Sequence, residues 1–217
     1  YSEWQKSQYN IFKILLKNTM TNLFEENSYV KEFKTSIEKI NREEKYVKLI
    51  DTAFYGKSGG QPGDKGELII DGKKIDVLDT IKKDGKIINI VSDIEKLDEK
   101  KEVVGRINWK IRYVHMRMHT ALHLMCSIIP LGVTGGQIGL EKSRLDFNDP
   151  KKQINKEELE EKINSLVNEN HLVTSEIIES KILDEKPELI RTMSVKPPQI
   201  DGKIRLIRIG DIDLQPC

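Results

Sequence analysis

The chain of 217 residues is long enough for one large domain or two small ones, and its 36 lysines and arginines almost balance its 35 aspartates and glutamates. A formal net charge of +1 excludes a broad basic field for non-specific nucleic-acid binding, and a mean hydropathy of −0.50 without an apolar run of ~18 residues excludes a transmembrane helix. Two cysteines, Cys126 and Cys217, exclude a disulfide scaffold and favour a reducing, cytoplasmic compartment.

Residues 1–19 are predicted to be an N-terminal extension. Lys6, Lys13 and Lys17 interrupt its apolar residues, so it lacks the continuous apolar segment of a secretory signal, and it also lacks a small-residue cleavage site. An amphipathic helix and a plain extension are both compatible with this composition, and no functional role is assigned to the segment.

Residues 20–107 are predicted to form a small glycine-rich β module. Short apolar stretches alternate with turns, and Asp71-Gly72 and Asp84-Gly85 each stand between β-branched runs, which is typical of tight hairpins. Repeated hairpins at this spacing favour a small barrel or meander over a parallel sheet. The predicted strands cover residues 46–50, 66–70, 74–78 and 87–91.

Residues 108–217 are predicted to form an α+β module with an antiparallel sheet and helices. Apolar residues at helical spacing indicate a helix over residues 111–129 that stops at Pro130. A glycine-containing loop leads to a strand at 144–147, and Asn155 is positioned to cap a second helix. Further strands are predicted at 171–178 and 203–210, whereas 183–190 is ambiguous between a short helix and a break at Pro187. The predicted fold class of the whole chain is α+β.

His119 and His123 lie about one helical turn apart in the first predicted helix, which also contains His115. Four residues turn a helix by roughly 400°, so the two imidazoles lie on one face and can bind one cation. Satisfied core or surface histidines are the alternative, since the pair lacks the glutamate of a metalloprotease motif. Cys217, which follows a predicted strand and a short turn, is placed to donate a thiolate to the same metal.

Four segments, in order along the chain, resemble one known family. His119-Thr-Ala-Leu-His123 is similar to the HTAxH segment of the alanyl-tRNA synthetase editing domain and of the free-standing AlaX trans-editing proteins. Residues 52–66 resemble their TxFYxxxGGQPxDxG loop, residues 134–137 and 144–147 resemble the turn and strand after the histidines, and residues 207–217 resemble the approach to their CGGTH motif. The chain is most similar to the medium-length type of AlaX protein.

The resemblance implies one zinc site held by His119, His123 and Cys217. In the family, a histidine four residues after the cysteine completes the zinc shell, and this sequence has no residue there. Either a longer form of the protein supplies that ligand, or this version binds metal weakly or not at all. The module 108–217 is accordingly interpreted as a tRNA-editing module that is truncated at its C-terminal end.

The resemblance also implies residues for catalysis and substrate binding. Thr134 and Gln137 are the candidates for the polar group that recognises a serine hydroxyl. The glycine-rich loop 52–66 is expected to approach the histidine helix, with Gly60 within about 20 Å of His119, and to close over a substrate; simple tight turns are the alternative. The candidate substrate-binding residues are Gly59, Gly60, Gln61, Asp64, Arg144 and Asp146, of which the last two alternatively pair only with each other.

The implied function is zinc-dependent hydrolysis, in trans, of tRNA(Ala) mischarged with serine, with the glycine ester as a further substrate. Mischarged tRNA(Ala) is then the partner, and neither a membrane nor a stable protein partner is expected. Two other classes remain open. One is a non-catalytic tRNA-binding or structural zinc module, and the other is a zinc hydrolase of unrelated esters that shares only the fold.

Overall fold

The computed structural model describes residues 21–151, 153–193 and 202–217, so the predicted extension 1–19 lies outside the described residues. The chain divides into two compact units. The first contains the described residues up to Ser58 and Pro62–Arg112, and the second contains Gly59–Gln61 and Tyr113–Cys217. Within the described ranges, no helix is both long and apolar enough to cross a membrane. The functional modules drawn at residues 1–19, 20–107 and 108–217 remain predictions.

The first unit is built around a closed barrel of six antiparallel strands. Its elements are β1 (Thr21–Asn22), α1 (Leu23–Glu26), β2 (Glu32–Asn41), β3 (Tyr46–Leu49), β4 (Asp51–Thr52), β5 (Gly66–Ile70), β6 (Lys73–Lys83), β7 (Lys86–Val91) and β8 (Glu102–Ile107). The barrel has the order β2-β3-β7-β6-β5-β8, and β1 pairs separately with β4 in parallel. The predicted barrel-like module is therefore confirmed.

Two tight turns join neighbouring strands of the barrel. Asp71-Gly72 connects β5 to β6, and Asp84-Gly85 connects β6 to β7. Both residues of each pair have a positive φ, between 48° and 75°, as a two-residue type I′ turn requires. Both hairpins predicted from the Asp-Gly pairs are confirmed.

The barrel interior is filled by the inward-facing residues of its strands. In β2, for example, Phe33, Thr35 and Ile37 are buried while the residues between them are exposed or half-buried. This period of two places one side of each strand in the core. The buried apolar cluster contains Phe33, Ile37, Val47, Leu49, Ala53, Phe54, Leu68, Ile70, Ile75, Val77, Val91, Ile94, Leu97, Val103 and Ile107.

Thr80 in β6 anchors the glycine-rich loop to the barrel. Its backbone carbonyl accepts a hydrogen bond from Lys57 N–H at 3.0 Å, and its hydroxyl donates to the carbonyl of Asp64 at 2.8 Å. Asn89 in β7 donates from Nδ2 to the same hydroxyl at 3.0 Å. A Cβ on Gly63 would lie 1.8 Å from the Thr80 carbonyl oxygen, so this approach of the loop requires glycine at position 63.

The second unit combines helices with two antiparallel sheets, which confirms the α+β class. Its elements are α2 (Trp109–Ile128, of which the residues from Tyr113 belong to this unit), β9 (Val133–Gln137), β10 (Arg144–Phe147), α3 (Lys156–Asn168), β11 (Val173–Glu179), α4 (Ile182–Glu185), a 3-10 turn (Pro187–Leu189), β12 (Lys203–Ile209) and β13 (Asp213–Pro216). β9 pairs with β10, and β11, β12 and β13 form a three-stranded sheet in that order. Leu183, Ile204 and Leu206 form the centre of its core.

α2 begins two residues before the predicted start at Ile111. The side chain of Asn108 accepts a hydrogen bond from Ile111 N–H at 3.4 Å, and the Asn108 carbonyl accepts from Arg112 N–H at 3.0 Å. An asparagine at this position satisfies amide groups that the first helical turn leaves unpaired. The cap, rather than the first apolar residue of the stripe, therefore decides where the helix begins.

Three other expectations are settled in the second unit. Asn155 caps α3 as predicted, accepting from Glu157 N–H and Glu158 N–H. Segment 183–190 resolves into α4 and a 3-10 turn that Pro187 opens. The glycine-containing loop predicted after α2 is partly wrong, because residues 133–137 form strand β9 in register with β10.

Replacement of Thr80 by valine is expected to destabilise the protein by about 2 kcal/mol. Valine keeps the shape of threonine but leaves the buried Asp64 carbonyl and Asn89 amide without this partner, and each buried unpaired polar group costs about 1–3 kcal/mol. Urea unfolding measures the change. Thr174→Val is the matched control, since Thr174 is exposed on β11 and should change the free energy by less than about 0.5 kcal/mol. Equal effects of the two substitutions would show that Thr80 does not anchor the loop.

Candidate metal centre

Three side chains of the second unit converge on one point. His119 and His123 come from α2, and Cys217 follows directly after β13. Their potential ligand atoms all lie within 4.8 Å of one another. The two imidazole centroids are 5.2 Å apart, and His119 Nε2 is 3.6 Å from Cys217 Sγ. The predicted ligand set is therefore assembled as one possible metal-binding group.

The spacing of His119 and Cys217 and the chemistry of the group are compatible with zinc. A tetrahedral zinc ion with Zn–S of about 2.3 Å and Zn–N of about 2.0–2.1 Å separates sulfur from nitrogen by about 3.5 Å. The observed distance from His119 Nε2 to Cys217 Sγ is 3.6 Å. Imidazole and thiolate together also suit zinc better than magnesium or calcium, which prefer oxygen ligands.

Charge at the group favours the thiolate form of Cys217. Burial opposes the thiolate, but His119 and His123 outweigh it and lower the pKa of Cys217 well below its usual value. Burial also opposes the charged form of His123, whereas Asp213 and Cys217 raise the pKa of its imidazole to about 9. A thiolate is the form of cysteine that binds metals, so the lowered pKa favours Cys217 as a metal ligand.

Residues Gly59–Gln61 of the glycine-rich loop belong to the same unit as the histidines. The Ile138 amide donates to the Gly60 carbonyl at 2.9 Å. Gly60 has a φ of +76°, and a Cβ there would lie 3.0 Å from the Gly136 carbonyl oxygen. Gln61 is 3% exposed, with its Oε1 2.9 Å from His119 Nδ1. The expected approach of the loop to His119 is confirmed for these three residues.

The hairpin of β9 and β10 carries the other candidate residues of this unit. The Thr134 hydroxyl donates to the Asp146 carbonyl at 3.2 Å, and Gln137 is exposed at the end of β9. Arg144 and Asp146 form an exposed ion pair at 3.2 Å between Nε and Oδ1, which is the alternative considered for them. Roles of these four residues in binding or catalysis remain predictions.

Asp64 lies in the first unit, where it is almost fully buried. It forms an ion pair with Arg112, which is also buried, and its carboxylate accepts from Tyr55 N–H at 2.8 Å. Burial raises the pKa of Asp64 to about 6, against the opposing charge of Arg112. These contacts support a role in holding the loop, and the substrate-binding role of Asp64 remains a prediction.

Sequence reasoning missed Asp213 and Gln215, which are buried beside the histidines. Gln215 Nε2 donates to both carboxylate oxygens of Asp213 at 2.8 and 2.9 Å, and Asp213 Oδ2 lies 3.4 Å from His123 Nδ1. The missed signal is the spacing of 213, 215 and 217, because alternate residues of a strand share one face. Two polar side chains on the strand face that leads to a candidate metal ligand indicate that they belong to the same site.

The chain is similar to proteins of known name over most of its length. Residues 5–111 match the family model of class II (A) tRNA synthetases. The chain is 35% identical over 201 residues to alanyl-tRNA editing protein AlaX-M of Methanosarcina acetivorans, covering 87% of this chain and 82% of that protein. The corresponding protein of Saccharolobus solfataricus is 34% identical over 206 residues, covering 89% and 83%. The alanine-tRNA ligase of Pyrococcus furiosus is 35% identical over 211 residues, which are 93% of this chain and 22% of that enzyme.

Replacement of Gly60 by alanine is expected to loosen the loop. A positive φ costs an alanine roughly 1–2 kcal/mol, and the added methyl must also displace the Gly136 carbonyl. Gly72→Ala is the matched control, because Gly72 has nearly the same φ of +75° and a Cβ added there would meet no atom within 4 Å. Urea unfolding and hydrogen exchange at the Ile138 amide measure the two effects.

Gly60→Ala should destabilise the protein more than Gly72→Ala, and it alone should speed exchange at the Ile138 amide. If both variants lose the same stability and leave that amide equally protected, the close approach of Gly60 to β9 does not hold the loop.

Proposed function

The chain belongs to the alanyl-tRNA editing family, and on that premise we propose that it hydrolyses, in trans, the ester that joins serine or glycine to tRNA(Ala). The observation that carries the proposal is the convergence of His119, His123 and Cys217 into one potential metal group. Mischarged tRNA(Ala) is then its partner, encountered in the cytoplasm. The two AlaX-M relatives support the trans reaction, since they are named editing proteins rather than ligases.

We further propose that the group binds zinc. A zinc ion held by His119, His123 and Cys217 would supply a Lewis acid and a fixed positive charge beside the ester. An aminoacyl ester is already activated, so correct placement of the ester and the attacking water accounts for most of the required acceleration.

The surrounding residues supply this placement. Gln61 contacts the ring of His119 through Nδ1, and Gly59 lies beside the same ring, where an added Cβ would be in van der Waals contact with His119 Cε1 at 3.5 Å. Thr134 and Gln137 are exposed on β9 and present a hydroxyl and an amide to a substrate. The distinction of serine from alanine requires such polar groups, because a site selects for a hydroxyl only where it can hydrogen-bond to it.

The first functional expectation is metal-dependent hydrolysis of seryl-tRNA(Ala) and glycyl-tRNA(Ala), with slower hydrolysis of alanyl-tRNA(Ala). A chelator should abolish the activity, and zinc should restore it. Cys217→Ser should weaken zinc binding and reduce the rate by at least about tenfold, since even residues that only support metal ligands contribute that much. Release of the amino acid from each tRNA and zinc content measure these effects.

Ser175→Ala is the control, because Ser175 is exposed on β11 and stands outside the ligand group; this variant should retain zinc and activity. Hydrolysis that survives both the chelator and Cys217→Ser would overturn the zinc-dependent mechanism. Zinc binding without hydrolysis of any of the three substrates would instead favour a non-catalytic zinc module.

Replacement of Gln137 by leucine is expected to lower kcat/KM for seryl-tRNA(Ala) without unfolding the protein. The loss of one neutral hydrogen bond to a desolvated substrate costs roughly 1–2 kcal/mol, which is about a five- to thirty-fold drop. Gln153→Leu is the control, since Gln153 is also exposed, and thermal melting checks folding. A drop for the seryl ester alone assigns Gln137 to the serine hydroxyl, whereas unchanged rates on seryl- and glycyl-tRNA(Ala) would remove it from the site.

A further inference from the structure

Each of the two histidines of the candidate metal centre has a polar side chain close to its Nδ1. Gln61 Oε1 is 2.9 Å from His119 Nδ1, and Asp213 Oδ2 is 3.4 Å from His123 Nδ1. Both partner side chains are buried. This arrangement leaves Nε2 of each ring for the metal, and Nε2 of His119 already lies 3.6 Å from Cys217 Sγ.

The contact of Gln61 is compatible with the tautomer that a metal-bound His119 must adopt. If Nε2 binds a metal, it has no proton, so the neutral ring must carry its proton on Nδ1. A protonated Nδ1 is a donor and needs an acceptor, which the amide oxygen of Gln61 provides. Gln61 reaches this position because the Gly60 carbonyl is bonded to the Ile138 amide.

Asp213 acts on His123 through a carboxylate that is itself held in place. Gln215 Nε2 donates to both of its oxygens at 2.8 and 2.9 Å, and also lies 3.4 Å from the carbonyl of His123. The 3.4 Å contact between Asp213 Oδ2 and His123 Nδ1 is close enough for electrostatic attraction but is not a well-aligned hydrogen bond. Because Asp213 and Gln215 alternate along β13 and Cys217 directly follows this strand, one segment of the chain supplies both a ligand and the side chain that orients His123.

We propose that Gln61 and Asp213 are positioning residues, which fix the ring orientation and tautomer of His119 and His123 so that both present Nε2 to the metal. This inference rests on the proposed metal centre and assigns the orientation of His119 to Gln61, a residue of the glycine-rich loop. Residues that support metal ligands in this way typically contribute 10- to 100-fold to metal affinity.

The test measures zinc affinity and histidine tautomers, neither of which depends on catalysis. Zinc dissociation constants are obtained by competition with a chromogenic chelator, and long-range ¹H–¹⁵N correlation spectra show which ring nitrogen carries the proton. Gln61→Leu and Asp213→Asn should each weaken zinc binding about 10- to 100-fold, and Gln61→Leu should reduce the Nδ1-protonated form of His119. Gln61→Glu keeps an acceptor at the same position and should restore both.

The control variants are Gln153→Leu and Asp211→Asn, which make the same chemical changes at exposed positions and should bind zinc like the wild type. If Gln61→Leu and Asp213→Asn also bind zinc normally with unchanged tautomers, the positioning role is overturned while the metal centre stands. A wild type that binds no zinc would overturn the metal centre. In that case, a comparison of the His119 tautomer in the metal-free wild type and in metal-free Gln61→Leu decides whether Gln61 orients the ring.

Should Asp213→Asn fail to fold, as thermal melting would reveal, the pair Gln61→Leu and Gln61→Glu decides the proposal. Loss of affinity in Gln61→Leu with recovery in Gln61→Glu supports it, and equal loss in both overturns it, because a purely structural defect at position 61 would not be repaired by an acceptor.

Discussion

The hydrogen bond between the Ile138 amide and the Gly60 carbonyl is the contact on which the geometry of the candidate centre depends. It attaches residues Gly59–Gln61 to the end of β9, and a glycine is required because the backbone has a positive φ and approaches the Gly136 carbonyl closely. Once Gly60 is fixed, the next side chain, Gln61, is directed at His119. In this orientation, Nε2 of His119 lies toward the Sγ of Cys217. A single backbone contact thus controls a ligand that is far away along the chain.

The two histidines are supported by groups of different charge. Gln61 is neutral and accepts a hydrogen bond without adding a charge, whereas Asp213 carries a negative charge close to His123. A carboxylate at this distance favours a charged or cation-bound imidazole more strongly than an amide does. The cost of burying the Asp213 carboxylate is reduced by two hydrogen bonds from Gln215, since buried charges are tolerated only when they are paired or hydrogen-bonded.

Features that depend on neighbouring residues could be predicted from the sequence. The Asp-Gly turns require only two residues with positive φ, and the cap of α3 requires only Asn155 and the amides that follow it. The histidine pair is likewise a property of one helix. Strand β9, which depends on pairing with another segment, was missed. β9 contains two glycines, which disfavour a strand locally, and it becomes one only because β10 pairs with it.

The same distinction applies to the site. The ligands His119, His123 and Cys217 were identified because the histidines have helical spacing, Cys217 follows a predicted strand and a short turn, and the family resemblance includes all three. The contact of Gln61 with His119 spans 58 positions, and no local pattern reveals it. Asp213 and Gln215 could have been predicted, since their alternation with Cys217 is visible in the sequence. Acidic and amide residues are, however, common in strands that face solvent, so burial was needed to distinguish them.

Hydrogen-bond capacity separates the two polar candidates on β9. The hydroxyl of Thr134 already donates its proton to the Asp146 carbonyl, so it can only accept from a ligand while that bond is intact. The side-chain amide of Gln137 makes no hydrogen bond with the described part of the chain and retains both donors and acceptor. A serine hydroxyl is itself a donor and an acceptor, and an alanine methyl is neither. Within the proposed function, Gln137 is therefore the residue better able to distinguish these two amino acids, and Thr134 is better suited to keeping the hairpin that carries it rigid.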